Sequence, residues 1–165
     1  MLKFGGTSVA TREQREVAFA RILDAREAGY APVAVISAMG RSPSPYATDT
    51  LLAMIGGNTG SANADLLLAC GELISAAVFA EELRAMNVEA QALTGAQAGI
   101  ITDGVHGDAK ILRVEPDAIE ALLDRGCVPV VAGFQGATED GAIATLGRGG
   151  TDLSAIALGH ALGAQ

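Results

Sequence analysis

The chain has 165 residues, half of them hydrophobic and 18% charged, which excludes a disordered segment and suffices for one domain with its own core. A net charge of -8 argues against nucleic-acid and anionic-membrane binding, both of which need basic surfaces. Two cysteines, Cys70 and Cys127, lie in apolar runs without metal-ligand spacing and read as buried free thiols of a reducing cytosol.

In chain order, Met1 to Phe4 reads as a short strand running into Gly5-Gly6, without the apolar core of a secretory signal. Thr11 and Gln14 have capping-box spacing and open a helix that ends near Gly29, with Glu13, Arg15 and Glu16 on a solvated face. "PVAVIS" (Pro32 to Ser37) is a continuous apolar run, as expected of a strand covered on both faces. A polar loop follows, then a short helix from about Thr48, a flexible break from Gly56 to Gly60, and a long helix from about Ala62 to Met86. That helix is apolar nearly all round, but Glu72 interrupts its longest uncharged run, which falls short of the ~20 residues of a membrane span. "VEAQAL" (Val88 to Leu93) is the next strand, and Thr94 to Val114 reads as loop, strand, turn, strand. Pro116 and Gly126 bracket a helix, "CVPVVAGF" (Cys127 to Phe134) is a buried strand, and Gly141 turns the chain into "AIATL". Thr151 is the expected N-cap of a last helix. This rhythm predicts an α/β protein, a three-layer αβα sandwich with a mostly parallel sheet and a hairpin or two. A soluble cytoplasmic protein follows as the expected class.

Ligands of open α/β sheets bind beyond the carboxyl ends of the strands, where the polar and glycine-rich loops of this chain gather. In "KFGGTS" (Lys3 to Ser8) the paired glycines let backbone N–H groups turn toward an anion, although Gly-Gly after a strand is also an ordinary turn. No Walker A pattern occurs, since Lys3 precedes the glycines. In "TLGRGGTDLSA" a lone arginine, Arg148, stands among Gly147, Gly149 and Gly150 directly before a helix. A helix N-terminus favours anions, and a guanidinium adds a planar fork that matches carboxylate or phosphate. Glu72 is the single charge between Asp65 and Glu81 on the long helix. A buried carboxylate needs a partner, either a nearby loop group or a cationic group of a ligand such as an ammonium. Ser37 ends a strand, and Thr48 with Asp49 opens a helix. Asp152 balances a helix dipole, positions Lys3, or faces a metal-bound phosphate. His106 and His160 read as structural or surface residues. One fixed cation and one buried anion complement a zwitterion that carries a carboxylate, while Lys3 with Gly5-Gly6 suits phosphate. Together they suggest phosphoryl transfer onto a small amino acid.

"KFGGTSV", "VISAMGR…PYATDTLL", "CGELISAAVF", "TGAQAGIITD", "PVVAGFQGAT…G" and "TLGRGGTD" run in this order over essentially the whole chain, which resembles the aspartate kinases of the amino acid kinase superfamily. The resemblance implies ATP-dependent phosphorylation of the aspartate side-chain carboxylate to 4-phospho-L-aspartate, at the entry to lysine, threonine and methionine biosynthesis. By motif position it implies Lys3, Phe4, Gly5, Gly6 and Ser37 on the ATP side, with Lys3 stabilising the transferring phosphoryl group. Thr48, Asp49 and Thr50 would lie near the substrate, Glu72 at its ammonium, and Arg148, with Gly149 and Gly150, at a carboxylate. Thr151 and Asp152 would position substrate and Lys3; the family usually has serine where Thr151 stands, and the hydroxyl is kept. Mg²⁺ would be held mainly through ATP phosphates, with no protein ligands. Residues 1–165 correspond to the amino-acid-binding lobe. The family's nucleotide-binding lobe, with its "TDVDGVYTADPR"-like segment, and its regulatory ACT domains are expected outside this sequence. Negligible turnover by this chain alone and self-association into a homo-oligomer are the corresponding expectations. A non-catalytic amino-acid-binding module is the alternative, as is another amino acid kinase, for example one acting on acetylglutamate, whose acylated amine would not need Glu72.

Overall fold

Residues 1–164 are described by a computed structural model. In chain order the elements are β1 (Leu2–Phe4), a 3₁₀ turn (Gly6–Ser8), α1 (Arg12–Glu27), β2 (Ala34–Ile36), α2 (Thr48–Met54), α3 (Ala62–Ala85), β3 (Ala90–Leu93), β4 (Ile100–Thr102), β5 (Ile111–Val114), α4 (Asp117–Leu123), β6 (Val128–Ala132), β7 (Gln135–Ala137), β8 (Ile143–Thr145) and α5 (Gly150–Ala161). The first sheet has the order β1-β2-β6-β3 and is parallel throughout. Its register aligns Phe4, Ile36 and Ala132 on one face. That face packs on α1 and α3 through Phe19, Ile22, Phe79 and Leu83, with the Phe79 ring 4.7 Å from Phe19 and 5.6 Å from Phe4. The opposite face carries Val35, Val131 and Leu93 against Ile119 and Leu122 of α4 and Leu158 of α5. Helices therefore cover both faces, which gives the three layers. Strand alternation places Lys3, the register partner of Val35, on the α5 face.

The hairpins do not extend this sheet; they form a second one. Its order is β5-β4-β7-β8, parallel between β4 and β7 and antiparallel elsewhere. The sequence reading carried one strand from Cys127 to Phe134, but β6 stops at Ala132 because Phe134 has a left-handed backbone, φ 67°. The chain then re-enters extended structure as β7, a strand absent from the sequence reading.

Other local expectations also need correction. The Thr11–Gln14 capping box forms, with both reciprocal bonds. Arg15, however, does not lie on a solvated face. It is buried, its Nε and Nη2 each 2.7 Å from the Glu82 carboxylate, and Nη1 donates to the Val9 carbonyl. The long helix α3 is buried on one side only, and Leu66 on the other is 53% exposed. Cys70 and Cys127 are only partly buried. The N-cap of α5 is Gly149, φ 77°, and not Thr151, which sits inside the first turn. No helix among the described residues is long and apolar enough to cross a membrane.

Candidate active site

The carboxyl ends of β1, β2 and β6 converge beneath the loop that leads into α5. From β1, Lys3 extends its Nζ to 3.0 Å from the Asp152 carboxylate of α5. The following glycine loop lies flat on the loop after β2. A Cβ on Gly6 would fall 2.6 Å from the Ala38 carbonyl, and Gly40 N–H donates to the Gly6 carbonyl at 2.9 Å. Only glycine permits that approach.

Glu72 enters the same space from α3. It is 2% exposed, its Oε1 accepts the Ala38 N–H at 3.1 Å, and its Oε2 has no partner among the described residues. Burial pushes its pKa up to about 7, against the smaller lowering effects of the Ala38 N–H and the nearby Thr48 hydroxyl. Gly71, beside it, lets the post-β2 loop settle on the helix: a Cβ there would lie 2.8 Å from the Tyr46 carbonyl.

Arg148 projects from a loop whose flanking Gly147 and Gly149 both have left-handed backbones, φ 70° and 77°. It makes no hydrogen bond or ion pair among the described residues. Gly150 has no room for a side chain, since a Cβ would lie 2.8 Å from the Phe134 ring. The unusual turn at Phe134 is held by its N–H donating to Ser154 Oγ at 3.1 Å. Ser37 Oγ donates to Thr151 Oγ1 at 3.0 Å and so joins the end of β2 to α5.

Lys3, Gly6, Ser37, Thr48, Glu72 and the run from Arg148 to Asp152 line one hollow of about 310 Å³. Of the other residues assigned to the site from the sequence, Phe4 packs in the core against Phe79, and Asp49 is solvent-exposed on α2. Gly5 lies outside the hollow but beneath Lys3, whose Nζ is 3.7 Å from its Cβ position. Thr50 is turned inward, its hydroxyl buried without a partner among the described residues. Conversely, Ala38, Gly40 and Phe134 line the hollow and were not singled out. The Gly40 role was readable only as a glycine in a polar loop, and nothing in "AGF" signals the turn at Phe134. A larger hollow, about 730 Å³, opens at the amino ends of β1 and β2, lined by apolar side chains together with Met1, Tyr30, Glu120 and Asp124. The smaller one brings together a buried carboxylate oxygen and a guanidinium that both lack partners among the described residues, so chemistry rather than size identifies the site.

His106, read as structural or surface, pairs with Asp65, a fully buried carboxylate that sequence reasoning passed over. Among the described residues no group of three or more His, Cys, Asp or Glu side chains could hold a metal ion.

The model of the amino acid kinase family matches residues 1–165. The chain is 49% identical to aspartokinase 1 of Bacillus subtilis, over 99% of its own length and 41% of that protein's. It is 42% identical to the aspartokinase of Geobacillus stearothermophilus, again over 99% of the chain and 40% of the relative. It thus spans about two fifths of the length of these curated relatives. Among solved structures, the aspartate kinase from Synechocystis superposes with a TM-score of 0.77 at 39% identity, over 99% of this chain and 26% of that one. E. coli aspartokinase III in complex with aspartate and ADP superposes with a TM-score of 0.74 at 27% identity, over 98% of this chain and 46% of that one.

Proposed function

This chain belongs to the amino acid kinase family, and we propose that its residues 1–165 form the amino-acid-binding lobe of an aspartokinase, in which L-aspartate receives a phosphoryl group from ATP on its side-chain carboxylate. The observation that carries the reading is the pairing of unsatisfied opposite charges across one hollow: among the described residues, Glu72 Oε2 has no donor and the Arg148 guanidinium has no acceptor. An amino acid with a free ammonium and a carboxylate satisfies both. A substrate with an acylated amine would leave Glu72 buried and unpaired, which disfavours the acylated-substrate kinases.

Within this scheme Arg148 holds a substrate carboxylate by its planar fork and Glu72 receives the ammonium. Two carboxylate charges enter a site with one free guanidinium, so the remaining carboxylate is left to be directed toward Lys3. Its oxygen is already a nucleophile, so no general base is needed, and positioning with charge neutralisation does the catalytic work. ATP supplies the phosphoryl group. Lys3, steered by Asp152, would neutralise its oxygens, and the close-packed Gly6–Gly40 backbone and the Ser37 hydroxyl would line its path. Mg²⁺ would enter with the phosphates rather than on protein ligands. A cytoplasmic enzyme of lysine, threonine and methionine synthesis, self-associating through an unpaired edge of the first sheet, completes the proposal.

Calorimetry tests the substrate reading. L-Aspartate is expected to bind the wild-type chain, with N-acetyl-L-aspartate at least about tenfold weaker and Arg148→Ala weaker by roughly ten- to a hundredfold. Equal affinity for the acetylated compound, or unchanged binding by Arg148→Ala, would refute it.

A further inference from the structure

Arg148 sits in a loop of left-handed glycines and makes no hydrogen bond or ion pair among the described residues, which raises the question of what holds it in place. Such a loop has large conformational freedom and must be fixed from its flanks. On its upstream side the chain leaves β8 at Thr145. The Thr145 N–H and hydroxyl both donate to Asp65, at 3.1 and 2.5 Å. Beside it lies the turn of residues 105–108, whose Gly107 N–H donates to both oxygens of the same carboxylate, at 3.1 and 3.2 Å. His106 Nδ1 lies 2.8 Å from Asp65 Oδ2, and since a carboxylate only accepts, that nitrogen carries the proton. The turn in its place walls Gly147: a Cβ there would lie 2.7 Å from Asp108 Oδ1 and 3.3 Å from the Gly107 carbonyl. One buried carboxylate therefore fixes both the strand that feeds the glycine loop and the turn that flanks it.

Asp65 also stands on α3, seven residues before Glu72. Seven residues are nearly two helical turns, so the two carboxylates share a face about 10 Å apart along the axis. We infer that Asp65 is a positioning residue: through Thr145, Gly107 and His106 it references the Arg148 loop to the helix that carries Glu72, so that α3 sets the spacing between the two charges of the amino-acid seat. The consequence for affinity rests on the aspartate reading above; the consequence for loop order does not.

The test is hydrogen exchange on the full chain carrying Asp65→Asn, whose amide nitrogen cannot accept the Thr145 or Gly107 N–H. Residues 146–152 are expected to exchange at least about fivefold faster, while residues 38–47, a loop on the same hollow but away from Asp65, stay within about twofold of wild type. In parallel, L-aspartate affinity falls about fivefold or more, and the same substitution added to Arg148→Ala changes the residual affinity less than about twofold. A variant that is folded and exchanges like wild type over 146–152, or that exchanges faster equally in both segments, overturns the inference; the second result marks Asp65 as a stability residue only. Should Asp65→Asn fail to fold, His106→Ala, which removes a partly exposed member of the cluster, decides by the same two segments. Wild-type chain that binds no aspartate while its variant shows the segment contrast leaves the positioning role standing and defeats the aspartate reading instead.

Discussion

Helix α3 buries two carboxylates on one face, and they are treated in opposite ways. Asp65, in the first turn, has both oxygens occupied by donors from β8 and the 105–108 turn. Glu72, two turns later, has one donor on Oε1 and, among the described residues, none on Oε2, and burial raises its pKa to about 7. Burial alone therefore does not separate a structural acid from a ligand-binding one; the count of donors does. A satisfied carboxylate holds the fold, whereas an unsatisfied one persists at the expense of stability and marks the place where something else binds.

The strongest way to break this contrast is to delete both acids in turn. Asp65→Ala leaves the buried Thr145 N–H and the half-buried Gly107 N–H unpaired and should lower stability by about 4 kcal/mol, or prevent folding, as read by denaturant unfolding. Glu72→Gln should go the other way. The folded pKa of Glu72 lies above its unfolded value, so the stabilising effect of its protonated form is complete below pH ~4.5 and is lost as pH rises through about 7. Above that pH the ionised side chain opposes folding by about 3 kcal/mol. The glutamine variant should match wild type near pH 4 and exceed its stability by up to about that amount at pH 8. Equal stabilities at pH 8 would mean that Oε2 is satisfied after all. A smaller effect is expected at the hydroxyl bridge: Ser37→Ala removes the bond to Thr151 and should lower stability by about 1 kcal/mol. The smallest belongs to the half-exposed Lys3–Asp152 pair, where Lys3→Met should leave stability within about 0.5 kcal/mol in thermal unfolding yet weaken phosphate-bearing ligands.

The layers of the fold were legible because β2 and β6, the central strands of the first sheet, are continuous apolar runs and the α1 start carries a complete capping box. The division into two sheets was not, since it hinges on a left-handed phenylalanine that no propensity announces. Arg148 and Glu72 stood out because each is a charge in a setting that should exclude it. Arg15 and Asp65 did not, because their sequence neighbours are charged or lie at a helix start, where such residues are ordinary. Their burial follows from partners 67 and 80 residues away, Glu82 and Thr145, and only the tertiary structure brings these together. Phe4 and Asp49 were grouped with the site by motif adjacency, but neighbours in a strand or helix point to different faces.

The most direct test is a calorimetric titration of L-aspartate into wild type and Glu72→Gln at pH 6, 7 and 8. If Glu72 is the ammonium partner, it must be ionised to bind. Wild-type affinity should then rise about tenfold from pH 6 to 8 and level off above its pKa, while the glutamine variant binds more weakly and without pH dependence. A flat wild-type profile, or a glutamine variant that binds as tightly as wild type at pH 8, would contradict the account.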